Sequence, residues 1–268
     1  MTEKPYEFIT ESQRQFVVDR RVMLDNRGWA TDYQENLFAP LHPDSVADFE
    51  RAGELTPTSG GRIAAPHSST AFAINVFDVW RGSDLTPLGD ALGFDLAEFV
   101  GYEHGHSLGF QRPAQPDIEF TTSDGTALAV EVKLREPYGK VSNEFADRYF
   151  ETPELWDGLP NLRNLAGRMD HGEVEYLTLH AAQLIKHALG LHRSYGDDFV
   201  LGYLWLYVPG TDGNQHLREL EEFTAVAASD IDFVPVTVQE LLDRLDGQQC
   251  DPAWLTYMTE RYVTPLGQ

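Results

Sequence analysis

The sequence is poor in cysteine, in lysine and in long apolar runs, and each shortage removes a class of explanation. A single cysteine, Cys250, excludes an internal disulfide and a cysteine-caged zinc ion, and fits a reducing compartment. No apolar run approaches the roughly 20 residues needed to cross a bilayer. The opening MTEKPYEF has no basic segment followed by an apolar one, so a soluble, cytoplasmic protein without a membrane partner is expected. Lysine occurs only as Lys4, Lys133, Lys140 and Lys186. With 20 basic against 43 acidic residues the formal net charge is −23, whereas proteins that grip nucleic acid usually carry a basic face. Either the substrate is not a polyanion, or a local basic groove survives within an acidic surface. The acids are spread along the whole chain rather than gathered in a tail, the pattern of salt adaptation more than of one basic partner.

What is present is a globular composition, 42% hydrophobic and 12% aromatic, without an internal repeat or a long linker. Periodicity predicts a helix over 6–27 with Phe8, Phe16, Val17 and Met23 as its apolar contacts, then a loop-rich connection through Pro40, Pro43, Pro57 and the turn at 59–61. A second helix lies in APHSSTAFAINVFDVWRG, capped by Ser68 or Ser69, with Asn75 and Arg81 as its polar residues. A short helix at 88–92 leads to 96–102, which reads as a strand or a helix end. In the following GYEHGHSLGFQRP, His104 and His106 read as exposed loop residues, because no third nitrogen or sulfur ligand is near. Residues 143–150 read as a short helix and 153–168 as surface turns. The clearest helix, VEYLTLHAAQLIKHALGLHRS, aligns Leu177, Ala181, Leu184, Ile185, Ala188 and Leu191 and sets Gln183 and His187 on one side. Residues 199–208 read as a strand buried on both faces. A helix over 214–228, a strand over 231–238 and helices over 237–245 and 252–262 complete the count. The class is α/β, with a helical N-terminal addition over 1–65 and the main domain over 66–268.

The stretch 115–138, QPDIEFTTSDGTALAVEVKLREPY, organises the rest. Two runs rich in β-branched and aromatic residues flank Asp124-Gly125, a hairpin signal. Glu131 and Lys133 alternate with Val130 and Val132 and therefore share a face, and pairing the arms across the turn brings Asp117 toward that face. Two carboxylates and an ammonium are the minimum for holding a divalent metal beside a phosphate. The carboxylates are hard oxygen ligands, the Val132 carbonyl is a further candidate ligand, and Lys133 can orient a water or neutralise the phosphate. Glu119 shares the face of Asp117 as a third acid or a solvent residue. The residues alone leave a second reading open, in which Glu131 and Lys133 are an ordinary charge pair on an exposed sheet.

Pro116-Asp117, followed after thirteen residues by Glu131-Val132-Lys133, resembles the PD-(D/E)xK signature of the restriction-endonuclease-like nuclease superfamily. Gln183-x-x-x-His187 is similar to the Gln-x-x-x-Tyr/His element of its exonuclease-like branch. VEVKLREPYGK, with the upstream GYEHG and HSSTAFAINVF, also resembles a group of restriction endonucleases of bacteria and archaea over about half the chain. The resemblance implies an αβββαβ core with a mixed central sheet flanked by helices. It further implies Mg²⁺-dependent hydrolysis of DNA phosphodiester bonds, with Mn²⁺ as a substitute. Asp117, Glu131, the Val132 carbonyl and an upstream acid would hold the metal, Lys133 would orient the water, and Gln183 and His187 would complete the site. The upstream acid falls on Glu103 or Glu98; Glu103, among polar loop residues, is preferred. A homodimer is implied by the resemblance alone. A DNA groove would need Arg14, Arg20, Arg21, Arg81, Arg112, Arg135 or Lys186 to line one face. The alternatives are a nuclease-fold protein that binds nucleic acid or a partner protein without cutting, and a metal-dependent hydrolase of a compact phosphorylated substrate.

Overall fold

The computed structural model describes residues 4–55, 60–109 and 112–267, so Pro57 and Ser59 of the sequence-predicted loop lie outside the described residues. Five strands form one mixed sheet in chain order: β1 (Leu96–Tyr102), β2 (Ile118–Thr122), β3 (Ala127–Lys133), β4 (Phe199–Trp205) and β5 (Asp232–Thr237). The first three are an antiparallel meander, and β4 and β5 continue the sheet parallel to β3. The β2–β3 turn closes where the sequence places it. Asp124 Oδ1 accepts from the Thr126 amide at 3.1 Å, and Gly125 takes a φ of +92°, which a side chain would resist. The resulting register pairs Ile118 with Val130.

The helices are α1 (Pro5–Asp19), α2 (Pro43–Ala52), α3 (Ser69–Phe77), α4 (Thr86–Leu92), α5 (Pro160–Asp170), α6 (Ala181–Tyr195), α7 (Thr211–Ala227), α8 (Val238–Leu245) and α9 (Pro252–Met258). Strand alternation divides the core into two layers. Ile118, Val130, Val132 and Leu204 pack with α3, α4, α8 and α9. Ala129, Leu201, Tyr203 and Trp205 pack with α5, α6 and α7. Glu131 and Lys133, in phase with Ala129, therefore face α6. This is the αβββαβ arrangement, with α6 as the crossover that parallel pairing of β3 and β4 requires. The N-terminal segment shares the first layer through Ile9, Leu37, Leu41 and Phe49. The fully buried Arg261 guanidinium joins it to the C-terminus, donating to Gln13, to the carbonyl and side chain of Asn36, and to the Pro66 carbonyl.

Four local expectations change. α1 stops at Asp19 rather than running to residue 27, because Arg21 adopts a left-handed φ of 63° and Leu24 bridges Ala30; Met23 is 69% exposed. α6 starts at Ala181, and Leu177 is exposed instead of joining its apolar face. The cause is Glu219, whose carboxylate takes the amides of Leu177, Thr178 and Leu179 at 2.8–2.9 Å and holds them out of the helix. The helix expected over 143–150 is only a 3₁₀ turn at Asp147–Tyr149. The segment read as surface turns contains α5, which buries Leu162, Leu165, Ala166 and Met169; Pro160, which resembles a breaker, sits in its first turn, where a missing N–H costs nothing. The segment 96–102, left between strand and helix end, is β1.

Candidate active site

Asp117 precedes β2 and, one step beyond the Ile118–Val130 pair, stands opposite Glu131. Its Oδ2 accepts from the Val132 amide at 2.7 Å. Because the amide and carbonyl of a strand residue leave on the same edge, the Val132 carbonyl also faces the Asp117 side, past the end of the ladder. Lys133 Nζ hydrogen-bonds Glu131 Oε1 and donates to Gln183 Oε1 at 3.0 Å, while Gln183 Nε2 donates to Glu131 Oε1 at 2.8 Å. His187, one turn further along α6, places Nε2 2.9 Å from Glu131 Oε2 without hydrogen-bond alignment. Glu131 is 2% and Lys133 7% exposed. The reading of an exposed charge pair is therefore wrong: α6 covers this face of the sheet.

Glu103 follows β1 with a φ of 50° and donates its amide to the Asp117 carbonyl at 3.1 Å. It lines the same cleft, whereas Glu98 is an exposed β1 residue outside it. The electrostatics are uneven. Burial opposes ionisation of Glu131, but Lys133 and then His187 outweigh it and hold the carboxyl well below its ordinary value. Burial, Glu131 and Glu103 push Asp117 well up, and burial with Glu131 pushes Glu103 to about 7. Burial works against the Lys133 charge, yet Glu131 and Asp117 hold its pKa above the usual lysine range. Three carboxylates thus face the Lys133 ammonium and an Arg62 guanidinium already paired with Glu54, and a divalent cation would relieve the surplus.

The cleft has a volume of about 560 Å³. Glu54, Glu103, Asp117, Glu131 and Glu136 line it together with Arg62, Arg112, Lys133, Arg148 and Lys186. On a chain with 43 acids and 20 bases, this concavity is locally balanced. Of the basic residues named from the sequence, Arg112 and Lys186 are here. Arg81 is not available to a ligand, since its side chain is 10% exposed and paired with Asp48 at 2.6 Å, and Arg135 donates to Thr10 at 2.8 Å and stacks on Tyr6. Glu54, Arg62, Thr70 and Arg148 were not foreseen, because they are distant in sequence and carry no local pattern.

Among the described residues, no group of three or more His, Cys, Asp or Glu side chains is drawn together as a finished metal cage. The donor chemistry nonetheless suits a hard cation. Glu131 Oε2 and both ring nitrogens of His187 are buried without hydrogen-bond partners among the described residues, and Asp117 and the Val132 edge stand beside them.

Two neighbouring residues differ from expectation. His106 lies in the β1–β2 connection as expected but is buried, 2% exposed, and its Nε2 lies 2.8 Å from Glu119 Oε2. Glu119 is neither a third acid of the cleft nor a solvent residue; Tyr195 bonds its other oxygen, and Ser194 lies 3.0 Å from His106 Nδ1. Gly190 of α6 makes room for this cluster, since a Cβ there would sit 2.6 Å from that of Ala114.

Comparison with known proteins gives one family. A model described as restriction endonuclease associating with ARP (REase-ARP) matches residues 14–263, which span the hairpin, α6 and all five strands. No curated protein and no solved structure matches the chain. On that coverage, and with a mixed sheet and flanking helices consistent with the restriction-endonuclease-like fold, the chain belongs to the REase-ARP family.

Proposed function

We propose that the protein is a Mg²⁺-dependent nuclease that hydrolyses DNA phosphodiester bonds in this cleft, with Mn²⁺ as a substitute ion. The observation that carries the reading is the convergence of Asp117, Glu131 and Lys133 under α6, where carboxylates outnumber the ammonium within a cleft that Arg62, Arg112, Arg148 and Lys186 also line. Asp117, Glu131, the Val132 carbonyl and Glu103 would hold the metal, which supplies Lewis acidity and lowers the pKa of a bound water. Lys133 donates toward the attacking water or the phosphoryl oxygens. Gln183 fixes both Lys133 and Glu131, and His187 backs the outer oxygen of Glu131. Arg62, Arg112, Arg148 and Lys186 offer the positive charge that a nucleic-acid backbone needs.

The test is cleavage of plasmid, linear and single-stranded DNA, with RNA alongside, in Mg²⁺ or Mn²⁺ at low and at high salt. Metal-dependent cutting that disappears in Asp117→Ala and Lys133→Ala is expected, and cutting unchanged in both variants overturns the assignment. A second reading, a nuclease-fold protein that binds nucleic acid without cutting it, draws on Lys133 and Gln183, which both take Glu131 Oε1. It predicts DNA binding that survives Glu131→Gln and no calorimetric signal for divalent metal. The homodimer implied by the superfamily resemblance is checked by sedimentation with and without DNA.

A further inference from the structure

The nuclease reading leaves unexplained why the cleft runs past its carboxylates to the start of α3. Ser69 and Thr70 line that end, together with Arg62 from the 3₁₀ turn Gly61–Ala64. We propose that the first turn of α3, with Thr70 and Arg62, is an anion subsite that takes a backbone phosphate next to the one that is cut. The proposal rests on the reading of the cleft as a nucleic-acid site.

Two independent observations carry it. The first is the helix terminus. Ser68 Oγ accepts from the Ala71 amide at 3.3 Å, and the first α-helical bond runs from the Phe72 amide to the Ser68 carbonyl at 3.0 Å. The amides of Ser69 and Thr70 have no helical acceptor and stand at the positive end of the dipole. The second is Thr70 itself. The residue is 8% exposed and lines the cleft, and its hydroxyl meets no hydrogen-bond partner among the described residues. Serine and threonine hydroxyls beside a helix start are well placed for phosphate oxygens, and a guanidinium completes the set.

Arg62 is held firmly for this role. Glu54 takes its Nε at 3.2 Å and its Nη2 at 2.6 Å. The backbone behind it is pinned from three sides: the Ala30 amide donates to the Ala64 carbonyl at 2.8 Å, Asn36 donates to the Ile63 carbonyl at 2.6 Å, and the buried Arg261 donates to the Pro66 carbonyl at 3.0 Å. The Glu54 pair fixes the guanidinium through Nε and Nη2, while Nη1 stays outside that pair on a side chain that is 71% exposed; Nη1 and the two free amides, a few residues apart in sequence, make the seat for a tetrahedral anion.

The test uses the full chain without metal. Inorganic phosphate and dimethyl phosphate, a diester mimic, are titrated against ¹⁵N-labelled protein. Saturable shifts at the Ser69 and Thr70 amides are expected, about three- to tenfold weaker in Thr70→Val and about tenfold or more weaker in Arg62→Gln. Both variants should melt like the parent, since one is isosteric and the other is exposed. A DNA duplex is then scanned with single methylphosphonates. One position beside the cut should weaken binding to the parent and not to Arg62→Gln, whose log–log salt slope falls by about one. Shifts absent from this turn, or equal in parent and variants, overturn the subsite. Should phosphate seat at the turn while DNA is neither bound nor cut, the anion seat stands, and its place beside a cut phosphate falls with the nuclease reading. Should DNA be cut with both variants like the parent, the subsite falls and the nuclease reading stands.

Discussion

Two buried carboxylate–histidine pairs face α6, one built on Glu119 and one on Glu131, and they are completed differently. Around Glu119 every polar atom is matched: Tyr195 takes one oxygen, His106 the other, and Ser194 bonds the far ring nitrogen. Around Glu131 the count does not close. Lys133 and Gln183 share one oxygen, the other lies 2.9 Å from His187 Nε2 without hydrogen-bond alignment, and the far nitrogen of His187 has no partner among the described residues, with Asp117 and Glu103 adding charge. Both pairs are buried to the same degree, so burial does not distinguish them. Unmatched polar atoms and the crowding of Glu131 by Asp117 and Glu103 do, because a purely structural cluster has every reason to satisfy itself.

The comparison can be broken by substitution. The largest effect is expected at Asp117→Asn, which should lower DNA cleavage by about 10²–10⁴-fold. Because it removes surplus charge, the same change should raise the melting temperature, as is common where a functional site holds like charges; a drop in stability would put Asp117 with the structural cluster. Next comes the metal. Mg²⁺ at a hundredfold excess over its Kd should stabilise the parent by about 2.7 kcal/mol, seen as a calorimetric shift of several degrees. Asp117→Asn should show little of it.

Glu119→Gln should behave in the opposite sense, costing about 1–3 kcal/mol with metal-dependent cleavage retained. Its pH dependence has a definite sign. Burial works to raise the Glu119 pKa, but hydrogen bonds from His106 and Tyr195 outweigh it and hold the group below its ordinary 4.5. As the pH falls the unfolded chain takes up this proton first, so the contribution is complete above about 4.5 and lost as the pH passes through the lower folded value. Denaturant melts of parent and Glu119→Gln should therefore converge in acid and run parallel at neutral pH. The smallest effect is expected at Ser194→Ala, which removes one exposed partner and should cost no more than about 1 kcal/mol. A loss of cleavage in either variant would show that the two pairs are not separate.

Much of the Glu131 pair was legible beforehand, and almost none of the Glu119 pair was. The first lies on a hairpin whose turn and alternation are local, and Gln183 and His187 repeat at helical spacing. The second joins His106 after β1, Glu119 in β2 and Tyr195 at the end of α6, which share no local pattern. Period two correctly put Glu119 on the face of Asp117, but two residues along a strand move it about 6–7 Å, enough to place it with His106 rather than in the cleft. The same limit hid Arg62 and Thr70. It also misled the reading of α6, where the apolar period ran back through Leu177 until a carboxylate from α7 claimed the amides.

The amino-acid order by itself determined the strand alternation of Glu131 and Lys133, the Asp-Gly turn that aligns Asp117 with them, and the helical phase of Gln183 and His187. These depend on backbone geometry a few residues long. Only the tertiary structure decided that α6 covers this face, that Glu103 and not Glu98 lines the cleft, that Arg81 is spent on Asp48, and that an acidic chain keeps a concavity also lined by Arg62 and Lys186. Those outcomes depend on which distant segments pack together, and packing is settled by the whole core at once.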